Sequence, residues 1–308
     1  METSKVYFTR DISPDGLIKI FDAMGVKLKG NVAVKISTGE PGGHNFLSPQ
    51  LIEPLVKRLN GTIVECLTAY RGKRFEVADH WQAIADHGFQ AIAPCDIMDE
   101  NGEMQLRVDG GKRLKNTNLV GEHLRNYDSM LMLSHFKGHQ MAGMGGALKN
   151  MSIGVASKRG KAWIHSWGNT TEPDECWNFA ENQDAFLESM AEACMGVMDY
   201  MGRENIVYIN VANNLSIDCD CIANPATPKM KDIGIFASTD PVAIDQSCYD
   251  TIMNSVDEGK EDLVARMLDK HAIHIVEEAE ELGLGRRNYE IIDIDNKGNV
   301  WEIQSKLE

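Results

Sequence analysis

The sequence contains no run of about 18 apolar residues, the length needed to cross a bilayer. Its opening segment, METSKVYFTRDISPDG, lacks the apolar core of a signal peptide. These two absences predict a cytoplasmic protein with no membrane partner. Basic residues are also scarce: 31 Lys and Arg stand against 46 Asp and Glu, a formal net charge of −15 over 308 residues. That balance excludes a nucleic-acid surface, which needs a basic footprint. The seven cysteines are scattered and odd in number, so no disulfide framework is implied and reduced thiols are expected. No C-x2-C pair occurs, which removes the usual ligand spacing of structural zinc and iron–sulfur sites. A Walker loop, a G-x-G-x-x-G fingerprint, internal repeats and low-complexity tracts are likewise missing.

What is present is the material of a globular α/β protein, 43% hydrophobic and 25% charged. Strand-like and helix-like patterns alternate. NVAVKIS reads as a buried strand, followed by a helix over SPQLIEPLVKRL with Ser48 as N-cap and Pro49 in the first turn. GTIVECL predicts a strand, VADHWQAIADHG a helix, and FQAIAPCD another strand. A polar, glycine-rich stretch from Met98 to Asn118 suits a hairpin or an inter-domain excursion. YDSMLMLSHF, IVYINVANN and DIGIFAS read as further strands, with a long helix from Asp184 to Met201. A helix after DIGIFAS should be capped by Thr239 or Asp240, and the end of the chain, YEIIDIDNKGNVWEIQ, reads as a hairpin. The expected architecture is therefore mostly parallel sheet flanked by helices, in two α/β lobes (1–125 and 126–308) with a site in the cleft between them.

Three segments carry candidate chemistry. The first is KGHQMAGMGGALKN, which follows a predicted strand, the end of a strand where open α/β sheets bind ligands. Gly143, Gly145 and Gly146 would expose backbone N–H groups to a phosphate or carboxylate. Lys137, Lys149, Lys158, Arg159 and Lys161 add positive charge, and His135, His139 and His165 surround the loop. The plain alternative is a tight strand-to-helix turn with solvated lysines. The second is SIDCDCIANP. In an extended segment the thiols of Cys219 and Cys221 would share one face, and Asp218 and Asp220 the other, offering a soft or a hard metal site respectively. The third is LTAYRGKRFE, where Arg71, beside Tyr70, is a candidate clamp for a substrate carboxylate. Glu40 and His44 sit in a comparable loop.

The motifs KGHQMAGMGGALKNMSIGVASKRGK, DCDC, PKMKDIGIFASTDPVAIDQ and LGLGRRNYEII resemble those of the family grouped as domain of unknown function 362, over about Val32 to Ile292. Its members are often labelled iron–sulfur-centre proteins and many carry a ferredoxin-like insert; the cysteines of that insert are absent here. More distantly, His139, the GGALK loop with Lys149, and His165 resemble the nickel-pincer lactate racemase group. That resemblance implies Lys149 as the attachment site of a nickel-pincer nucleotide, His165 as nickel ligand, His139 as proton-transfer group and Arg71 as carboxylate clamp. It implies hydride transfer or isomerisation on a small hydroxy or carboxylic acid. A second acid/base histidine would have to come from His44, His80, His123 or His135.

Three functional readings follow: a cofactor- or metal-dependent enzyme at the Gly143–Lys149 loop; a metal-binding or iron–sulfur electron-transfer protein using Cys219 and Cys221, with iron or another divalent metal; and a receptor for an anionic metabolite. Each takes a small anionic ligand or a metal as partner, and a homo-oligomer pooling cysteines from two chains remains compatible with the second.

Overall fold

A computed structural model of the chain describes residues 3–296 and 299–301. The elements in chain order begin with β1 (Ser4–Thr9), α1 (Pro14–Ala23), β2 (Val32–Lys35), α2 (Pro49–Arg58), β3 (Thr62–Glu65), α3 (Val77–Asp86) and β4 (Cys95–Ile97). A separate antiparallel hairpin, β5 (Glu103–Arg107) and β6 (Thr117–Gly121), fills the polar stretch before β7 (Ser129–His135). The opening motif forms a second small hairpin, β8 (Lys137–His139) and β9 (Gly143–Gly145), and then a short helix α4 (Ala147–Ser152). There follow α5 (Lys158–His165), α6 (Gln183–Met201), β10 (Ile206–Ala212), β11 (Gly234–Ser238), α7 (Pro241–Met253), α8 (Glu261–Asp269), α9 (His274–Glu281), β12 (Tyr289–Asp293) and β13 (Asn299–Trp301).

The chain is an α/β protein built on one nine-stranded sheet in the order β13-β12-β1-β11-β10-β7-β2-β3-β4. The run from β10 to β4 is parallel throughout, and β1 also pairs in parallel with β12. The expected boundary at residue 125 falls between β6 and β7, yet the sheet is continuous across it, with β2 hydrogen-bonded to β7 and β1 to β11.

Side-chain alternation along the strands sends residues to two apolar layers. In β7, Met130 and Met132 join Leu148, Phe186, Met190 and Ile244 on one face, whereas Leu131 and Leu133 join Leu17, Ile20, Ile52 and Leu55 on the other. Every residue of β7 and of β10 is buried, as expected of central strands covered by helices on both sides. The helices start where their caps stand: Ser48 accepts from Leu51 N, and Asp240 (rather than Thr239) accepts from Val242 N and Ala243 N.

FQAIAPCD departs from the expected strand. Phe89–Ala91 forms a 3-10 turn after Gly88 in the left-handed region, and only Cys95–Ile97 pairs, as the sheet's edge. Pro94, with no N–H to donate, holds the strand back to that point. The C-terminal hairpin forms as an antiparallel β12–β13 pair; Lys297 and Gly298 of its turn lie outside the described residues.

Candidate functional site

In this sheet β2, β3 and β4 progress one way from β2, while β7 and β10 lie on its other side. The C-terminal ends of β2 and β7 therefore flank a topological switch point, where a crevice opens because successive connections diverge. A cavity of about 400 Å³ lies there, lined by residues from both sides of position 125.

Its walls are unusually cationic for a chain of net charge −15. Lys35, Arg74, Lys137, Lys149 and Lys161 line it, against Glu65 and Asp220. Most of these cations are held by the protein. Lys35 Nζ donates to Ile36 O (2.5 Å) and Asn150 Oδ1 (3.2 Å). Lys137 Nζ donates to His135 O (3.0 Å) and to Asp220 Oδ2 (2.7 Å), and Lys161 Nζ to Ala156 O (2.6 Å). Arg74 bridges two buried carboxylates, with Nε 3.1 Å from Glu40 and Nη1 3.3 Å from Glu65. Glu65 also accepts from Thr38 Oγ1 and faces His80 Nε2, so its carboxyl sits well below the usual range despite burial, chiefly through Arg74 and His80.

Two ionisable side chains of the cavity have no polar partner among the described residues. Lys149 Nζ makes no hydrogen bond or ion pair among the described residues, and neither does either ring nitrogen of His165, whose Nδ1 is buried. Burial first, then the charges of Lys137 and Lys35, lower the Lys149 amine from 10.5 to about 7. Burial and the nearby Lys149 and Lys161 lower His165 to about 3, so its imidazole is neutral. Its ring is stacked on Phe186 (centroids 4.7 Å apart) and tilted against Trp177 (5.1 Å), which fixes its plane.

His139 is different. Its Nδ1 accepts from Met141 N (3.2 Å) and Ala142 N (3.0 Å), and burial with the adjacent cations keeps its pKa well below the usual imidazole value. Two N–H groups aimed at Nδ1 place the single proton on Nε2. His139 is thereby a hydrogen-bond donor in the pocket rather than a base. Of the histidines considered for a second acid/base role, none lines the cavity. His80 faces Glu65, His123 faces Asp96, both nitrogens of His135 face oxygens of Asp220 and Asn213, and His44 is exposed.

The glycines of the opening motif serve a purpose other than the expected anion cradle. A Cβ on Gly146 would lie 2.4 Å from Asp245 Oδ1, and that carboxylate already accepts from Ala147 N (2.8 Å) and Leu148 N (2.9 Å). The first N–H groups of α4 are thus occupied by a buried internal carboxylate, also bonded to Asn210 Nδ2 at 2.7 Å. Gly143 adopts φ +75°, and a Cβ there would meet Ala272 Cβ at 2.6 Å. These two glycines let β9 and α4 pack against the core; what the loop presents to the cavity is Lys149. Gly145 leaves ordinary room beside Lys137 and Lys149.

Other sequence candidates fall elsewhere. Arg71 lies outside the cavity, exposed and paired with Asp174. The cavity's guanidinium is Arg74, three residues on. Lys158 stacks over Phe75 and Arg159 pairs with Glu103, both away from the cavity wall. Asp218 caps a turn, accepting from Ala226 N, and does not line the cavity. Cys219 and Cys221 are not reduced thiols but a disulfide in a turn segment; the other five cysteines are free. One ligand atom each of His139, Cys219 and Cys221 falls within a 4.8 Å cluster. In the disulfide state, however, these two sulfurs are not thiolate ligands. Lys35, Glu65 and Arg74 were missed in the sequence. The signal was there in part: Lys35 and Glu65 are charged residues closing otherwise apolar strands.

The fold and site together define an α/β protein with a polycationic cavity at a topological switch point. The chain belongs to the family described as domain of unknown function (DUF362), whose model matches residues 32–250. No curated protein matches the sequence. Among solved structures, the lactate racemase apoprotein from Thermoanaerobacterium thermosaccharolyticum is similar at 13% identity with a TM-score of 0.44, covering 80% of this chain and 57% of that one. A Thermotoga maritima protein is similar at 13% identity and a TM-score of 0.42, covering 77% and 57%. The chain thus spans little more than half the length of either protein. Among the described residues no helix is long and apolar enough to cross a membrane.

Proposed function

We propose that the protein is an enzyme that holds a small anionic cofactor or substrate in this cavity and uses Lys149 as its reactive amine, acting on a small hydroxy or carboxylic acid. The observation that carries this reading is the pair of unpartnered groups, Lys149 Nζ and the His165 imidazole, in a cavity whose other cations are tied to the protein. Polar groups in a buried site are ordinarily hydrogen-bonded, so partners missing from the protein point to a ligand.

Each residue has a separate task. Arg74 and Lys35, anchored by Glu40, Glu65 and Asn150, present fixed positive charge to a carboxylate or phosphate. His139 Nε2–H donates to an oxygen of the bound molecule, and its two backbone donors keep the ring in that tautomer. Lys149, with its amine lowered to about 7, exists partly as the free base near neutrality and is nucleophilic there. Lys161 and Lys137 add charge for a phosphate-bearing group.

The nickel-pincer nucleotide implied by resemblance fits this donor set. Lys149 would carry the covalent bond, His165 would offer a ring nitrogen, and the lysines would meet the phosphate. When bound, such a group would supply a hydride acceptor. Calorimetric titration with inorganic phosphate, pyrophosphate and lactate tests the anion site itself. The expected result is saturable binding that weakens by about tenfold or more in Lys35→Met and Arg74→Met, one lost charge-assisted contact being worth about 1.5–3 kcal/mol. Absence of saturable binding by all three anions would refute the reading.

A further inference from the structure

Cys219 and Cys221 take no part in the anion site, yet Cys221, unlike Cys219, belongs to the cavity wall. The two are joined across a single intervening residue, and among the described residues they are the disulfide-bonded cysteines of the chain. Cys219 is buried whereas Cys221 is half-buried and lines the cavity, so Cys221 is the member of the pair nearer to a molecule held there. The backbone N–H of Cys221 points at Cys219 Sγ at 3.3 Å. A hydrogen-bond donor is therefore already aimed at the sulfur that would depart with negative charge. Gln140 Oε1 lies 3.7 Å from Cys219 Sγ and 3.8 Å from Cys221 Sγ, where it can accept from either S–H once the bond is open. The surroundings thus provide partners for both oxidation states. Cys66, the other cysteine in the wall, instead donates to Val155 O at 3.3 Å, and burial pushes its thiol pKa upward.

We infer that Cys219 and Cys221 form a redox-active Cys-x-Cys pair that exchanges two electrons with small dithiols entering the cavity, with Cys221 as the attacked sulfur. A thiolate of the dithiol bonds to Cys221 Sγ, the Cys219–Cys221 bond breaks, and Cys219 leaves with the electron pair under the Cys221 N–H. The second thiolate of the same molecule then bonds to its partner sulfur and expels Cys221. The dithiol departs as a cyclic disulfide, two electrons poorer, and its two protons end on Cys219 and Cys221. The reverse sequence oxidises the pair. This activity stands on its own residues and does not require Lys149.

The test places the full-length protein, without denaturant, in buffers of reduced and oxidised dithiothreitol at varied ratio. Acid quenching, alkylation and peptide mass analysis then read each cysteine. The expected result is reversible interconversion of the peptide carrying Cys219 and Cys221 as one two-electron transition, while the other five cysteines stay thiols. A pair that changes state only after denaturation, or remains reduced at the most oxidising ratio, would overturn the inference. With oxidised glutathione, Cys219→Ser should form a mixed disulfide at Cys221 about tenfold faster than Cys221→Ser forms one at Cys219, because access to the protein sulfur, here the attacking thiolate, sets the rate as glutathione thiolate leaves. Equal rates would overturn the assignment of Cys221.

Discussion

The depressed basicity of Lys149 gives a prediction whose size follows from the structure. An ordinary lysine amine has a pKa of 10.5, and burial beside Lys137 and Lys35 brings this one to about 7. At pH 7 about half of Lys149 is then the free base, against about 3 in 10,000 for an ordinary lysine, a ratio of about a thousandfold. A less basic amine is a weaker nucleophile, which takes back one to two powers of ten, so Lys149 should still acylate about tenfold to a hundredfold faster than surface lysines at neutral pH. The assay is a brief pulse of a water-soluble acyl ester from about pH 6 to pH 10, read peptide by peptide by mass. The Lys149 rate should level off above about pH 8 while the surface lysines continue to rise. In Lys137→Met the break should move up by about one unit, because the substitution removes a neighbouring cation and leaves the Asp220 carboxylate, 2.7 Å from it, with less compensation. A Lys149 profile that runs parallel to the surface lysines would refute the electrostatic argument.

The same group predicts a stability effect of definite sign. An amine whose pKa is lower in the folded than in the unfolded state costs nothing above about pH 10.5 and its full penalty below about pH 7, so Lys149→Met should raise Tm most in acid and lose that advantage as the pH climbs through this window, measured by thermal melts across pH. Arg74→Met should destabilise the fold by about 3–5 kcal/mol in chemical denaturation, because it leaves Glu40 and Glu65 buried without their shared cation. Gly146→Ala should cost about 1–3 kcal/mol by the same measurement, since the new Cβ forces the Asp245 carboxylate from Ala147 N and Leu148 N. Arg71→Ala, by contrast, should leave anion binding within about twofold of wild type in the calorimetric titration, since its guanidinium is exposed to solvent, paired with Asp174 and outside the cavity.

Much of the sheet was legible because its signals are local. Ser48 and Asp240 announce helix starts by chemistry that operates within three residues, and the apolar runs around Leu131 and Ile209 can be satisfied only between two covered faces. The strand predicted over FQAIAPCD failed where Gly88 and Pro94 interrupted a run whose composition alone suggested β structure. The site was legible in kind more than in detail. Lys149, His139 and His165 do meet in one cavity, as does Lys137. Gly146 and Gly143 were misread because their reasons lie in distant residues, Asp245 (97 and 98 residues from the N–H groups it accepts) and Ala272, contacts that no local pattern contains. The choice between Arg71 and Arg74 depends on the turn after β3, which points one guanidinium to solvent and buries the next between two carboxylates. The Cys219–Cys221 bond likewise depends on a turn, where an extended segment had been expected.

The claim that Lys149 is the reactive amine of a ligand-bearing cavity is tested most directly by the mass of its peptide. Protein purified anaerobically from its native host should carry added mass on the Lys149 peptide, absent in Lys149→Arg, with a metal in near-stoichiometric amount if the added group is the nickel-bearing one. An unmodified Lys149 peptide throughout the preparation, with labelling by acyl ester unaffected by phosphate, pyrophosphate or lactate, would contradict the account.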